Sequence, residues 1–97
     1  MRHDTVPYDE ALWAVDEALA RVANADDAGA VGLVSDALAM VGHAPYPVLV
    51  RDARQFGADA AAGLRIGDAE RAVEFLLLLR HVVEEMGRLG ATGLAAA

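Results

Sequence analysis

The chain has 97 residues, enough for one domain, and 56% of them are hydrophobic, ample for a core. It contains no cysteine, which excludes disulfides and thiolate metal sites, and no uncharged apolar run long enough to span a bilayer. The net charge of −7 discourages nucleic acid, whose phosphates need a basic footprint.

That charge is uneven. Residues 1–50 hold two arginines against eight acids, about −6, and residues 51–97 hold six against seven, −1. The N-terminal half would therefore steer a basic partner, or simply keep a small protein solvated. Lysine is absent and arginine takes its place throughout, a bias expected of a GC-rich bacterial genome. Met1 to Glu10 carries acids with no charge-free apolar stretch behind it, so no secretory signal is read there and a cytoplasmic location is expected.

Residues 1–6 read as a loose arm. Pro7 fits a first helical turn, where its missing amide proton costs nothing, and Asp9 and Glu10 suit the positive end of the helix dipole. A heptad is then written twice, DEALWAV from Asp9 and DEALARV from Asp16, aligning Leu12 with Leu19 and Val15 with Val22 in a narrow helix-pairing seam. Asn24 tolerates a left-handed C-cap, and Asp26 or Asp27 can cap the next helix. In that helix Val31, Val34, Leu38 and Val41 carry the seam, while Gly29 and Gly32 weaken its start by roughly 1 kcal/mol each relative to alanine.

Gly42 ends the second helix, and His43 to Pro47 forms a stiff connector with two prolines. Pro47 opens a third helix in which Leu49, Ala53, Phe56, Ala60 and Leu64 recur, with Gly63 as its cap. Val48 to Val50 has strand propensity, but a lone strand would leave its backbone hydrogen bonds unmade, so helix is the better reading.

The longest apolar helical segment runs from Asp68 to Leu89, with Asp68 as N-cap and Gly90 as C-cap. Ala72, Leu76, Leu79, Val83 and Met86 form one stripe, and Phe75, Leu79, Val82, Met86 and Leu89 a second, giving a broad buried face. The remaining face reads Glu70, Glu74, His81, Glu85, Arg88, yet Leu77 and Leu78 extend the apolar surface toward it. Such a helix either sits at the centre of the molecule or meets another chain.

The expected fold is all-α, a compact antiparallel bundle of four helices over about 8–24, 27–41, 47–62 and 69–89, roughly 25–30 Å long. The domain spans 7–90, with 91–97 a disordered tail or linker. A six-helix death-fold-like bundle, broken at Gly29, Gly32 or Gly57, is the alternative.

Catalytic chemistry finds little support. Ser35 is the only serine, and His3, His43 and His81 lie in three different segments, so no triad is read. His81 and Glu85, four apart, could offer two ligands to a metal, with His43 an unforced third, but two ligands do not hold one. No cofactor is expected. Arg51 and Arg54, with Arg65 beyond, form the one basic concentration, for which pairing with interspersed acids is favoured over an anion site. Trp13 sits beside the Leu12 seam, in the core by preference or otherwise at an interface.

The favoured reading is a non-enzymatic helical module acting by self-association, as a homodimer, or as an adaptor binding a protein partner. Its contact residues would be Trp13, Leu77, Leu78 and His81. An acidic inhibitor of the immunity-protein or antitoxin kind, masking a basic partner with Asp9, Glu10, Asp16 and Glu17, is the second reading. A small-ligand or metal-binding bundle is the third.

Overall fold

A computed structural model describes residues 6–92 as four helices: α1 (Tyr8–Ala23), α2 (Asp27–Val41), α3 (Pro47–Arg65) and α4 (Ala69–Thr92). The all-α bundle expected from the pattern is what the chain forms, and no strand occurs among the described residues. The six-helix alternative fails because α2 and α3 run unbroken through Gly29, Gly32 and Gly57. Gly57 is instead where α3 meets α2: a Cβ there would lie 2.6 Å from Leu38 Cδ1. The expectation of a loose arm and of a disordered tail falls mostly on residues outside those described. Within them, Val6 packs partly buried against the core and Ala91 and Thr92 continue α4.

The helix starts follow local chemistry. Asp26 accepts from Gly29 N at 3.0 Å and Asp68 from Arg71 N at 3.1 Å, each satisfying an amide that has no partner within its helix. Pro47 opens α3, and Val48 to Val50 is helical.

Three helix ends differ from expectation. Gly63 does not terminate α3; it lies buried inside it, where a Cβ would sit 3.3 Å from Asp68 O and from Ala72 N. The stop comes at Gly67, with φ 76°, where Gly67 N donates to Leu64 O and Asp68 N to Gly63 O, the paired bonds of a Schellman motif. Gly90 does not terminate α4 either. The helix runs on to Thr92, whose hydroxyl donates to Leu89 O at 2.8 Å.

The same motif closes α1, on a residue ill suited to it. Ala25 N donates to Val22 O and Asp26 N to Arg21 O, which puts Ala25, not Asn24, in the left-handed conformation at φ 60°. Asn24 stays at φ −99° and donates its side-chain amide to Ala20 O. A Cβ in the left-handed region costs roughly 1 kcal/mol.

Short connections of three, five and three residues make consecutive helices antiparallel neighbours, and α4 closes the ring against α1. The α1–α2 and α3–α4 hairpins pack most extensively, α2–α3 least. The Cα extents are 44 × 20 × 16 Å, longer than expected, since α4 alone reaches about 36 Å at 1.5 Å per residue. The narrow cross-section reflects the residues on the bundle axis. Ala11, Ala14, Ala18, Ala30, Ala37, Ala53, Ala60 and Ala72 are all exposed by 1% or less. In α1 the buried line is thus alanine with Val15 and Val22, while Leu12 and Leu19 straddle it partly buried. α2 repeats the arrangement with Ala30, Val34, Ala37 and Val41 buried and Val31 and Leu38 beside them. α4 supplies the bulk: Leu76, Leu79, Val83 and Met86 are fully buried, each contributing about 1.5–3 kcal/mol of burial.

Two predictions follow from the α1–α2 turn. Ala25→Gly relieves the left-handed strain and raises the unfolding free energy by about 1 kcal/mol in urea titration. The Asp26 carboxyl is held below the usual aspartate range, first by the hydrogen bond from Arg21 (2.8 Å) and then by that from Gly29 N. A depressed folded pKa means stability present at neutral pH and lost as pH falls through that value. Thermal melts of Asp26→Ala therefore lie below those of the parent at pH 7, and the two converge in acid.

Candidate interaction surface

Helix α4 presents its inner stripe to the core and leaves Leu77 and Leu78 outside, 52% and 44% exposed. Successive helical residues lie about 100° apart, so the two leucines flank the outward line of α4, and Glu74 and His81 fall on that line one turn to either side. All four are exposed. Of the two possibilities left by the sequence, the central position is the one not adopted: α4 has α1 and α3 as its main neighbours and a free outer side.

Both flanks of this outer side are tied down. Toward α1, Arg80 donates to Asp16 at 2.6 Å and pairs with Glu84 at 2.9 Å. Asp16–Arg80 is the ion pair that joins two helices among the described residues, and Asp16, then Glu84, hold the guanidinium above its ordinary pKa. Toward α3, Phe75 meets Phe56 with ring centroids 6.4 Å apart, and the Arg71 guanidinium stands 5.6 Å above the Phe75 ring. Further along, Arg88 grips Glu85 and lowers its carboxyl pKa.

Trp13 is 60% exposed, so its expected core position is not the one it takes. The centre of the α1 buried set Ala11, Ala14, Val15, Ala18 and Val22 lies about 155° round the helix from Trp13, which therefore faces directly away from the core. Asp16 lies between Trp13 and the α4 side. Trp13 and the Leu77–Leu78 pair are thus on separate faces and form no joint patch.

The four acids of the first helix divide. Asp16 is engaged by Arg80, and Glu17 lies 3.7 Å from Arg21. Asp9 and Glu10 occupy the first turn of α1 and, with Glu84, line a groove of about 560 Å³ beside Tyr8 and Gly87. The basic concentration is no single site. Arg51 leans on its neighbour Asp52 at 3.5 Å, Arg65 lies in the last turn of α3, and Arg54 lines a groove of about 520 Å³ with Arg51, Val50 and Gly42. Arg54 Nη2 is 3.8 Å from where a Gly42 Cβ would stand, close to the C-terminal carbonyls of α2, whose last turn has no basic residue. Its charge complements that helix end. Pairing with interspersed acids accounts for Arg51 alone.

His81 and Glu85 share the outer side of α4, but Glu85 is taken by Arg88, and His43 lies in the α2–α3 connector at one end of the bundle. No group of three metal-ligating side chains converges among the described residues. Nor is any described helix long and apolar enough to cross a membrane. The residue sequence reading missed is Arg80. Its partner Asp16 is 64 positions away, and the only local signal is Glu84 four residues on.

The fold and surface define an up-and-down four-helix bundle whose last helix carries two exposed leucines among polar and charged residues on its outer side. Comparison with protein families, with curated proteins and with solved structures finds no match.

The Asp16–Arg80 pair predicts a measurable coupling. Melts of Asp16→Asn, Arg80→Gln and the double variant are non-additive at low salt, and the coupling shrinks toward zero at molar salt.

Proposed function

We propose that the protein is a non-enzymatic helical module that works by contact with protein, through the outer side of α4. The observation carrying this reading is the exposure of Leu77 and Leu78, side by side on the helix that also supplies four of the six largest fully buried side chains. Nothing in the fold requires leucine there: the inner stripe is complete without them, and two adjacent solvent-facing leucines lose burial free energy until something covers them. His81, on the same side, belongs to this surface, and Trp13 to a different one.

A second reading has its own observation. Asp9, Glu10 and Glu84 line one groove in a chain of net charge −7, which suits a basic partner masked by carboxylates. The two readings differ in salt response, since contact through leucine survives salt that dissolves contact through exposed charge.

The test is the native size of the tagged chain in extract of its own host cells. Expected is a species larger than the monomer that persists in molar salt and collapses to monomer size with Leu77→Ser/Leu78→Ser. The double substitution itself lowers the unfolding free energy by only about 1 kcal/mol, because both side chains are largely at the surface. A monomer-sized parent, or a complex indifferent to the substitution, overturns this reading. A complex lost in salt but kept by the variant supports the acidic-inhibitor reading instead.

A further inference from the structure

We propose that the groove between the end of α2 and the first half of α3 binds a small organic anion, its phosphate or carboxylate head held by Arg51 and Arg54 and its short apolar body lying on Val50 and Ala44. This site lies apart from the outer side of α4 and stands independently of the reading above.

Helical spacing builds one wall. Arg51, Arg54, Gln55 and Ala58 fall at i, i+3, i+4 and i+7 along α3, and all four are exposed. Gly42 and Ala44, from the end of α2 and the connector, line the same groove of about 520 Å³. Room for it exists because α2 and α3 pack least extensively of the neighbouring helices, and because Gly42 has no side chain to place beside Arg54. Val50 and Ala44, 7% and 9% exposed, give the groove an apolar surface anchored in the core. A concave space of this size, apolar with two convergent charged groups, suits a small amphiphilic molecule.

The charge decides the sign of that molecule. No acid lines the groove, although the chain as a whole carries −7. The nearest acids along α3 are engaged elsewhere: Asp59 accepts from Gln55 at 3.2 Å, and Asp52 stands 3.5 Å from Arg51 without lining the groove. Arg54 has no acid partner among the described residues. It offsets the C-terminal end of α2, but a helix end carries only about half a unit of negative charge, so net positive charge remains. At physiological salt charges act over about 8 Å, and within that distance two guanidinium forks outweigh the distant acids. Gln55, its amide spent on Asp59, adds no competing donor.

Titration of the purified chain with hexyl phosphate at pH 7, followed by amide NMR shifts, tests the site. Expected is a saturable response centred on Gly42, Ala44, Val50 and Arg54, with a Kd of roughly 1 mM or below. Arg51→Gln and Arg54→Gln each weaken it by roughly tenfold. Ala58→Glu, on an exposed helical position one turn from Arg54, weakens it as much by offering Arg54 a carboxylate of its own. Inorganic phosphate and hexanol, each lacking one half of the ligand, bind at least about tenfold more weakly. Hexanoate occupies the same groove, and its rank against hexyl phosphate assigns the preferred head. Arg51 is 75% exposed in its side chain, so Arg51→Gln keeps the parent fold and carries the test even where Arg54→Gln loosens the end of α2. Shifts that do not saturate by about 10 mM, or that centre elsewhere, overturn the proposal. So does binding indifferent to Arg51→Gln and Ala58→Glu, or matched by hexanol or by inorganic phosphate.

Discussion

The fold depends on the inner stripe of α4 filling a space that the other three helices leave narrow. Alanines on α1, α2 and α3 bring those helices close to the bundle axis, and Leu76, Leu79, Val83 and Met86 project between them, all fully buried. Cutting any of these four to alanine would open a cavity in a cross-section that has few other bulky side chains to collapse into it, so losses toward the upper end of 2–5 kcal/mol are the physical expectation. The small-residue helices and the large-residue helix are two halves of one packing solution. Gly57 against Leu38 and Gly63 against Ala72 extend it, each allowing an approach that a side chain would block.

That solution bears on the surface. A helix whose inner stripe must be continuous cannot rotate to hide a residue on its other side, because a rotation of one position would take Leu76 and Leu79 out of the core. Arg80 bound to Asp16 and Phe75 stacked near Phe56 fix the same rotation from either flank. Leu77 and Leu78 are consequently held outward by the packing that buries their neighbours. A protein contact made there, as proposed, would meet a surface already ordered, which lowers the conformational cost of association.

Helix starts were legible in the sequence because they are local chemistry. Asp26 and Asp68 cap, Pro47 opens α3, and the apolar spacing of Ala72 to Met86 gives the buried stripe of α4 without error. Ends were less legible. Gly63 and Gly90 resemble caps by composition, but Gly63 is a glycine for close approach to α4, a relation between residues distant in space that no local pattern records. In α1 the heptad drew attention to Leu12 and Leu19, whereas the axis belongs to Ala11, Ala14 and Ala18, since close helix approach favours small side chains over hydrophobic ones. Trp13 illustrates the converse. A large aromatic suggests a core, yet its position in the helical wheel, opposite those alanines, places it outside.

The same distinction governs the candidate surface. Leu77 and Leu78 were readable as excess because periodicity alone shows that one helix face cannot hold them together with the inner stripe. Arg80 was not readable, because its meaning lies in Asp16 on another helix. The charges around the leucines are mixed in sign on both sides, with Glu70, Arg71 and Glu74 before them and Glu84, Glu85 and Arg88 after. Glu70 and Glu74 face solvent and contribute little to folding a single chain. With only two leucines at its centre, the contact proposed there would be small by the standard of permanent interfaces. Its strength would therefore respond to those flanking charges, where a large apolar interface would be nearly indifferent to them.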